Sequence, residues 1–282
     1  MRLPAILLAL IAALSLAGPL VAHFLGASPA AVDLLHRFAG PSAAHPLGTD
    51  ELGRDLLLRL MEGGRVSLTI GIAAALAAAA VGTAVGLAAG YLGGWTDRVL
   101  MRLADGVIAL PLLPLLIVLA ALDLHKIGIA RGLADSPGIS LVRIVVLAVL
   151  VVWTTAARLV RGATLVTKRR DFVRAAQSLG AGVPHILWRH ILPNVLAPLV
   201  VATTLSVGDI ILLESVLSFL GLGVQPPLTS WGSMLSNAEE LISSSPLLAV
   251  YPGAMIFLTV IACNLLGDAL LQRFDPREPT RG

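Results

Sequence analysis

The chain has one cysteine, Cys263, and two lysines, Lys126 and Lys168, and aromatic residues make up only 4% of it. A lone thiol inside an apolar run excludes a disulfide framework or a thiolate metal site and reads as a small core residue. A phosphate-cradling G-x-x-x-x-G-K-[ST] loop needs a lysine preceded by glycine. Lys126 follows His125 and Lys168 follows Thr167, so that route to ATP hydrolysis is closed to this chain. Charge is scarce too, at 13% of residues against about a quarter in soluble domains. Scarce aromatics beside abundant Ala, Leu, Val and Gly argue against an alternating β-barrel and for spanning helices packed through small residues.

What is present is apolar: 57% of the 282 residues are hydrophobic and the mean hydropathy is +0.89. The fold class is therefore an all-α integral membrane protein. A spanning helix needs about 20 predominantly apolar residues, and six stretches qualify: 3–25, 67–92, 107–122, 141–160, 195–220 and 247–271. The third holds Pro111 and Pro114 and is expected to kink or to borrow length from its flanks. The first is long for a signal-peptide core and no small-x-small site closes it, so it reads as a retained span. No fixed-period repeat is visible, and the loops are too short for a second folded unit, so residues 1–282 read as one domain.

The net charge of +3 and pI near 9.6 are spent on orientation before any nucleic-acid partner is considered. With the N-terminus inside, thirteen Lys and Arg fall in inner segments, seven of them between Arg158 and Arg189, and seven fall outside. Both termini and the 161–194 loop are accordingly expected in the cytoplasm.

That loop contains DFVRAAQSLGAGVPHILWRHILPN. Asp171 is a candidate N-cap, and Phe172, Ala175, Ala176 and Leu179 recur at helical spacing along one face, with Arg174, Gln177 and Ser178 opposite. Gly180 suits a C-terminal cap, and Pro184 suits the first position of a second short helix leading into the fifth span. A helix this short is marginal alone, so it must pack on something. Adjacent alanines suit a partner's groove, while Lys168, Arg169 and Arg170 suit the inner leaflet; physics leaves both open.

The segment resembles the cytoplasmic signature of ATP-binding-cassette importer permeases, a Glu-Ala-Ala, a Gly and a hydrophobic-x-Leu-Pro. Here it reads Arg174-Ala175-Ala176, Gly180 and His190-Ile191-Leu192-Pro193, the forms common in the peptide and nickel importer permeases. HPLGTDELGRDLLLRL from His45, Gly93-Gly94-Trp95, Asp97-Arg98, and ESVLSFLGLGVQPP from Glu214 with Ser230-Trp231-Gly232 resemble the same subfamily, over about His45 to Pro276. The resemblance implies a type I importer permease fold and a loop that docks into a groove on a cytoplasmic ATPase, with Pro193 letting the chain turn into the fifth span. It implies a second, homologous permease, two ATPase subunits that use ATP and Mg, and an extracytoplasmic solute-binding protein. Di- or oligopeptides are the implied cargo, and nickel or another small solute would leave the same loop.

No cofactor is expected on the chain itself. The six histidines form no H-E-x-x-H pair, which argues against a metal site. Gly208-Asp209 and Gly267-Asp268 invite comparison with an intramembrane aspartyl protease, but Gly-x-Gly-Asp fails at Ser206 and Leu265. A secondary transporter would carry inverted repeats, and none is apparent. Asp209 and Glu214 are ionisable groups in an apolar helix and so are candidates for the translocation path, the alternative being a capping or pairing role. The outer stretches from Gly48 to Asp55 and around Trp231 and Glu239-Glu240 read as folded loops, the latter with a short helix.

Overall fold

The computed structural model describes residues 2–122, 136–236 and 245–274. Lys126, Arg131, Arg277 and Arg281 of the basic count, and the short helix expected at Glu239-Glu240, lie outside the described residues. Among the described residues the chain is helix and loop, apart from one antiparallel bridge between Thr49 and Asp55. The helices are α1 (Arg2–Leu16), α2 (Gly18–Leu25), α3 (Leu56–Leu92), α4 (Gly94–Ala109), α5 (Leu112–Ala120), α6 (Pro137–Thr167), α7 (Asp171–Ser178), α8 (Val183–Ile186), α9 (Leu192–Phe219) and α10 (Leu247–Phe274). Four helical segments are long and apolar enough to cross a membrane, and two bent pairs raise the number to six if each pair is one span.

The first bent pair corrects a sequence expectation, and the second shows the break and the borrowed length expected of the third stretch, with its limits moved. The first stretch is not one helix: α1 and α2 meet at 45°, where Pro19 in the first turn of α2 lacks the N–H that would continue the ladder. The third begins at Gly94 rather than at residue 107, and α4 and α5 meet at 87°. Pro111 forces Leu110 into extended backbone, φ −75° and ψ 139°. The second, fourth, fifth and sixth stretches are helical, the second starting eleven residues early at Leu56, where Asp55 accepts a hydrogen bond from the Leu58 amide.

Close approach of α3 and α6 sets the centre of the bundle. Gly82, Gly86 and Gly90 recur every four residues along one face of α3. A Cβ on Gly86 would stand 2.6 Å from the Ala157 carbonyl, and one on Gly90 would stand 2.7 Å from Thr164 Cβ. Bare backbone at these positions lets two long helices pack with van der Waals contact and no intervening side chain. Ion pairs fasten α4 to the same helix: Arg161 holds Asp97 in a fork, with Nη2 2.6 Å from Oδ2, and Arg158 Nη2 lies 2.6 Å from Asp105 Oδ1.

One end of the bundle is closed by the loop before α3. Asp50, buried, takes Arg54 Nε at 2.7 Å and an ion pair from Arg59. Burial raises the Asp50 pKa, but the Arg59 charge, the Arg54 and Leu52 amides and the Arg54 charge outweigh it, leaving the carboxyl below its ordinary range. The folded loop expected from Gly48 to Asp55 is thus present.

Candidate functional site

At the opposite end lies α7. Arg170, in extended backbone, is the N-cap, and Asp171 is the first helical residue; its side chain makes no capping bond. This corrects the capping expectation, and Asp171 still places negative charge on the positive end of the helix. Gly180 adopts φ +81°, a region costly for any residue with a Cβ. Its N–H donates to Gln177 O and that of Ala181 to Ala176 O, both at 3.0 Å, which closes the helix end.

The two faces of α7 differ. Val173 is fully buried with Ile186, Ile191, Val195 and Tyr91 in one apolar cluster, so the inward face is pinned to α3, α6 and the start of α9. Sequence periodicity did not single out Val173, because one inward side chain on an eight-residue helix leaves no repeat. The apolar face that was read from the sequence points outward: Leu179 is 88% exposed and Phe172 44%, Ala175 is exposed and Ala176 half-buried. Arg174 is exposed as well. Val183 and Trp188 are exposed beyond it.

Tyr91 ties this loop to the bundle. Gln177 Nε2 donates to its hydroxyl at 3.4 Å, Lys168 Nζ donates to its carbonyl, and the same ammonium sits 4.9 Å from its ring centroid. His190 is half-buried, with its ring 6.1 Å from Phe172 and 5.6 Å from His185.

Pro193 does not turn the chain, as the sequence reading had it. Val183 to Phe219 runs on as one helical span, with a π-helical turn at Leu187–Ile191 in which the Leu192 N–H reaches Leu187 O. The wider turn absorbs the donor that Pro193 lacks. Pro184 lies one place later than expected, at the second residue of α8. Leu192, half-buried, opens α9.

The two carboxylates of α9 have different surroundings. Glu214 is fully buried and accepts hydrogen bonds from Ser218 Oγ and Ser230 Oγ at 2.6 Å each and from Ser67 Oγ at 3.2 Å. Trp231, also fully buried, donates its backbone N–H to Ser67 Oγ and its indole N–H to Leu60 O. Glu214 therefore clamps the loop after α9 onto α3 and lies in a closed cage of serines, not on an open path. Trp231 is a core anchor and faces no solvent. Asp209 is exposed on a cleft of about 470 Å³ whose walls include Leu110 and Leu112 at the α4–α5 break, Val151 and Thr155 of α6, and Ser206.

No three His, Cys, Asp or Glu side chains come together as a metal site among the described residues. The geometry is that of a span bundle with an exposed apolar helix face at one end and a cleft at the α4–α5 break.

Comparison with known proteins agrees with that geometry. The crystal structure of an amino acid ABC transporter superposes with a TM-score of 0.54 at 14% identity, over 77% of this chain and 94% of that one, and shows a shared fold. The oligopeptide transport system permease protein OppC of Escherichia coli is 43% identical over 225 residues, 79% of this chain and 69% of that protein. The glutathione transport system permease protein GsiD of Shigella flexneri is 44% identical over 220 residues, 78% of this chain and 68% of that protein. A family model described as the inner membrane component of binding-protein-dependent transport systems matches residues 82–278. The chain belongs to that family of inner membrane transport components.

Proposed function

We propose that this chain is the permease subunit of an ATP-driven importer of di- and oligopeptides, forming one half of the path as a single domain of six spans. A second, homologous permease supplies the other half. The end bearing α7, with both termini, faces the cytoplasm, in keeping with the basic residues concentrated between Arg158 and Arg189. Two separate ATPase subunits bind there and use ATP and Mg. A solute-binding protein delivers cargo at the other end. The chain carries out no chemistry and holds no cofactor of its own. A peptide cargo is supported by the relatives, one named for oligopeptides and one for glutathione, itself a small peptide.

The observation that carries this reading is the two-faced α7. Its outward face presents Phe172, Ala175 and Leu179, apolar groups that a soluble environment would not favour and that a protein groove would bury. The inward face is packed through Val173 against Ile186 and Ile191 at the root of α9. Closure of the ATPases on ATP pulls α7, and the uninterrupted helix from Val183 to Phe219 carries the movement as a lever to the middle of the membrane. Gln177, Tyr91 and Lys168 pass it to the end of α3. The binding energy of the ATPases for one arrangement of α7 thereby biases which way the path opens.

Leu179→Asp tests this, because a side chain 88% exposed is not needed for folding of the chain alone. The variant should weaken ATPase association about 30-fold, as loss of a hot-spot contact worth roughly 2 kcal/mol does. Wild-type affinity for the ATPase and wild-type uptake in this variant would sink the proposal.

A further inference from the structure

We propose that Asp209 is the point in the path that receives a substrate's free ammonium group. The inference rests on the peptide-import reading above and adds to it which end of the cargo is recognised inside the membrane. Asp209 stands seventeen residues into α9 and ten before its end, about 26 Å and 15 Å along the axis at 1.5 Å per residue. That depth is within the hydrocarbon layer of a spanning helix. A carboxylate there is costly unless it faces a water-filled cavity and finds a counter-charge. It makes no hydrogen bond or ion pair among the described residues, and it opens onto the cleft at the α4–α5 break.

The cleft has the make-up of a ligand site. Its volume of about 470 Å³ falls in the range of small-molecule pockets, and its walls are mostly apolar with a few polar groups. Those groups are Asp209 and the hydroxyl-bearing Ser206, Thr154 and Thr155; no Lys or Arg is among the described residues lining it. The α4–α5 break brings the end of one helix and the start of the next to the same wall. These ends carry opposite partial charge and largely offset each other, so the preference for charge falls to Asp209. The site is therefore selective for a cation small enough to enter among α4, α5, α6 and α9. A peptide amino terminus, with an ordinary pKa of about 7.7–8.0, supplies one at neutral pH.

Glu214, five residues on, offers no rival site, because its oxygens are already occupied by Ser67, Ser218 and Ser230. Its serine cage leaves Asp209 as the carboxylate of α9 free to meet cargo.

The test uses the assembled complex, this chain with its second permease, both ATPases and the binding protein, reconstituted in proteoliposomes. Uptake rates are measured for a radiolabelled tripeptide with a free amino terminus and for its N-acetylated counterpart. Wild type, Asp209→Asn and Asp209→Glu are compared by the ratio of the two rates, in which the preference of the common binding protein cancels. Asp209→Asn should lower that ratio at least fivefold and Asp209→Glu should restore most of it. Where only the free peptide enters, its KM carries the same comparison, rising at least fivefold in Asp209→Asn and returning in Asp209→Glu. An unmoved ratio, or an unmoved KM, overturns the inference. If wild type imports neither peptide, the peptide reading itself falls and takes this inference with it.

Discussion

Glu214 and Asp209 are five residues apart on one helix, yet the first is sealed in a serine cage and the second opens onto a cleft. Three hydroxyls donate to Glu214, and deleting the carboxylate leaves them unsatisfied in a dry site, each at a cost of about 1–3 kcal/mol. Glu214→Ala is expected to lower the melting temperature of the detergent-solubilised complex sharply, and Glu214→Gln, which keeps an acceptor, to lower it less. A path role would give the reverse pattern, an unchanged melting temperature with lost uptake. Sequence alone could name both carboxylates as unusual but could not tell them apart. What separates them is where Ser67 and Ser230 come from, one 147 residues away in the chain from Glu214 and the other across a loop, and such long-range partners leave no local pattern.

Helices were the most legible elements, because apolar runs of spanning length announce themselves. Positions where backbone rather than side chain decides were less so. Pro111 was visible as a hazard, but the 87° angle it allows depends on how α5 packs. Pro193 was read as a turn and proved to sit in a continuous helix, relieved by the π-turn just before it. The four-residue spacing of Gly82, Gly86 and Gly90 was there to be read, yet only the packed pair identifies α6 as what it faces. Gly86→Leu should wedge α3 from α6 and cost roughly 1–3 kcal/mol or more, as overpacking does. Ala84→Leu, on an exposed position of the same helix, should leave stability unchanged. Equal melting temperatures for the two variants would show that the α3–α6 contact is not set by those glycines.

For the molecule as a whole, the loop signature at Arg174-Ala175-Ala176, Gly180 and His190-Ile191-Leu192-Pro193 pointed to the family before any coordinate, and the match over residues 82–278 bears that out. Basic residues indicated orientation less simply than their number suggests. Arg158 and Arg161 are engaged by Asp105 and Asp97, and Lys168 by Tyr91, so part of the inner charge is structural. Arg169, Arg170, Arg174 and Arg189 stay exposed beside the outward face of α7, at the end where we propose that the ATPases attach. Vesicles containing the complex, with ATP and Mg on the α7 side and the binding protein on the other, should accumulate a labelled oligopeptide, and should do so only while ATP is hydrolysed. Accumulation driven by an ion gradient without ATP, or no accumulation of any peptide by an assembled and ATP-hydrolysing complex, would contradict a peptide permease powered through that loop.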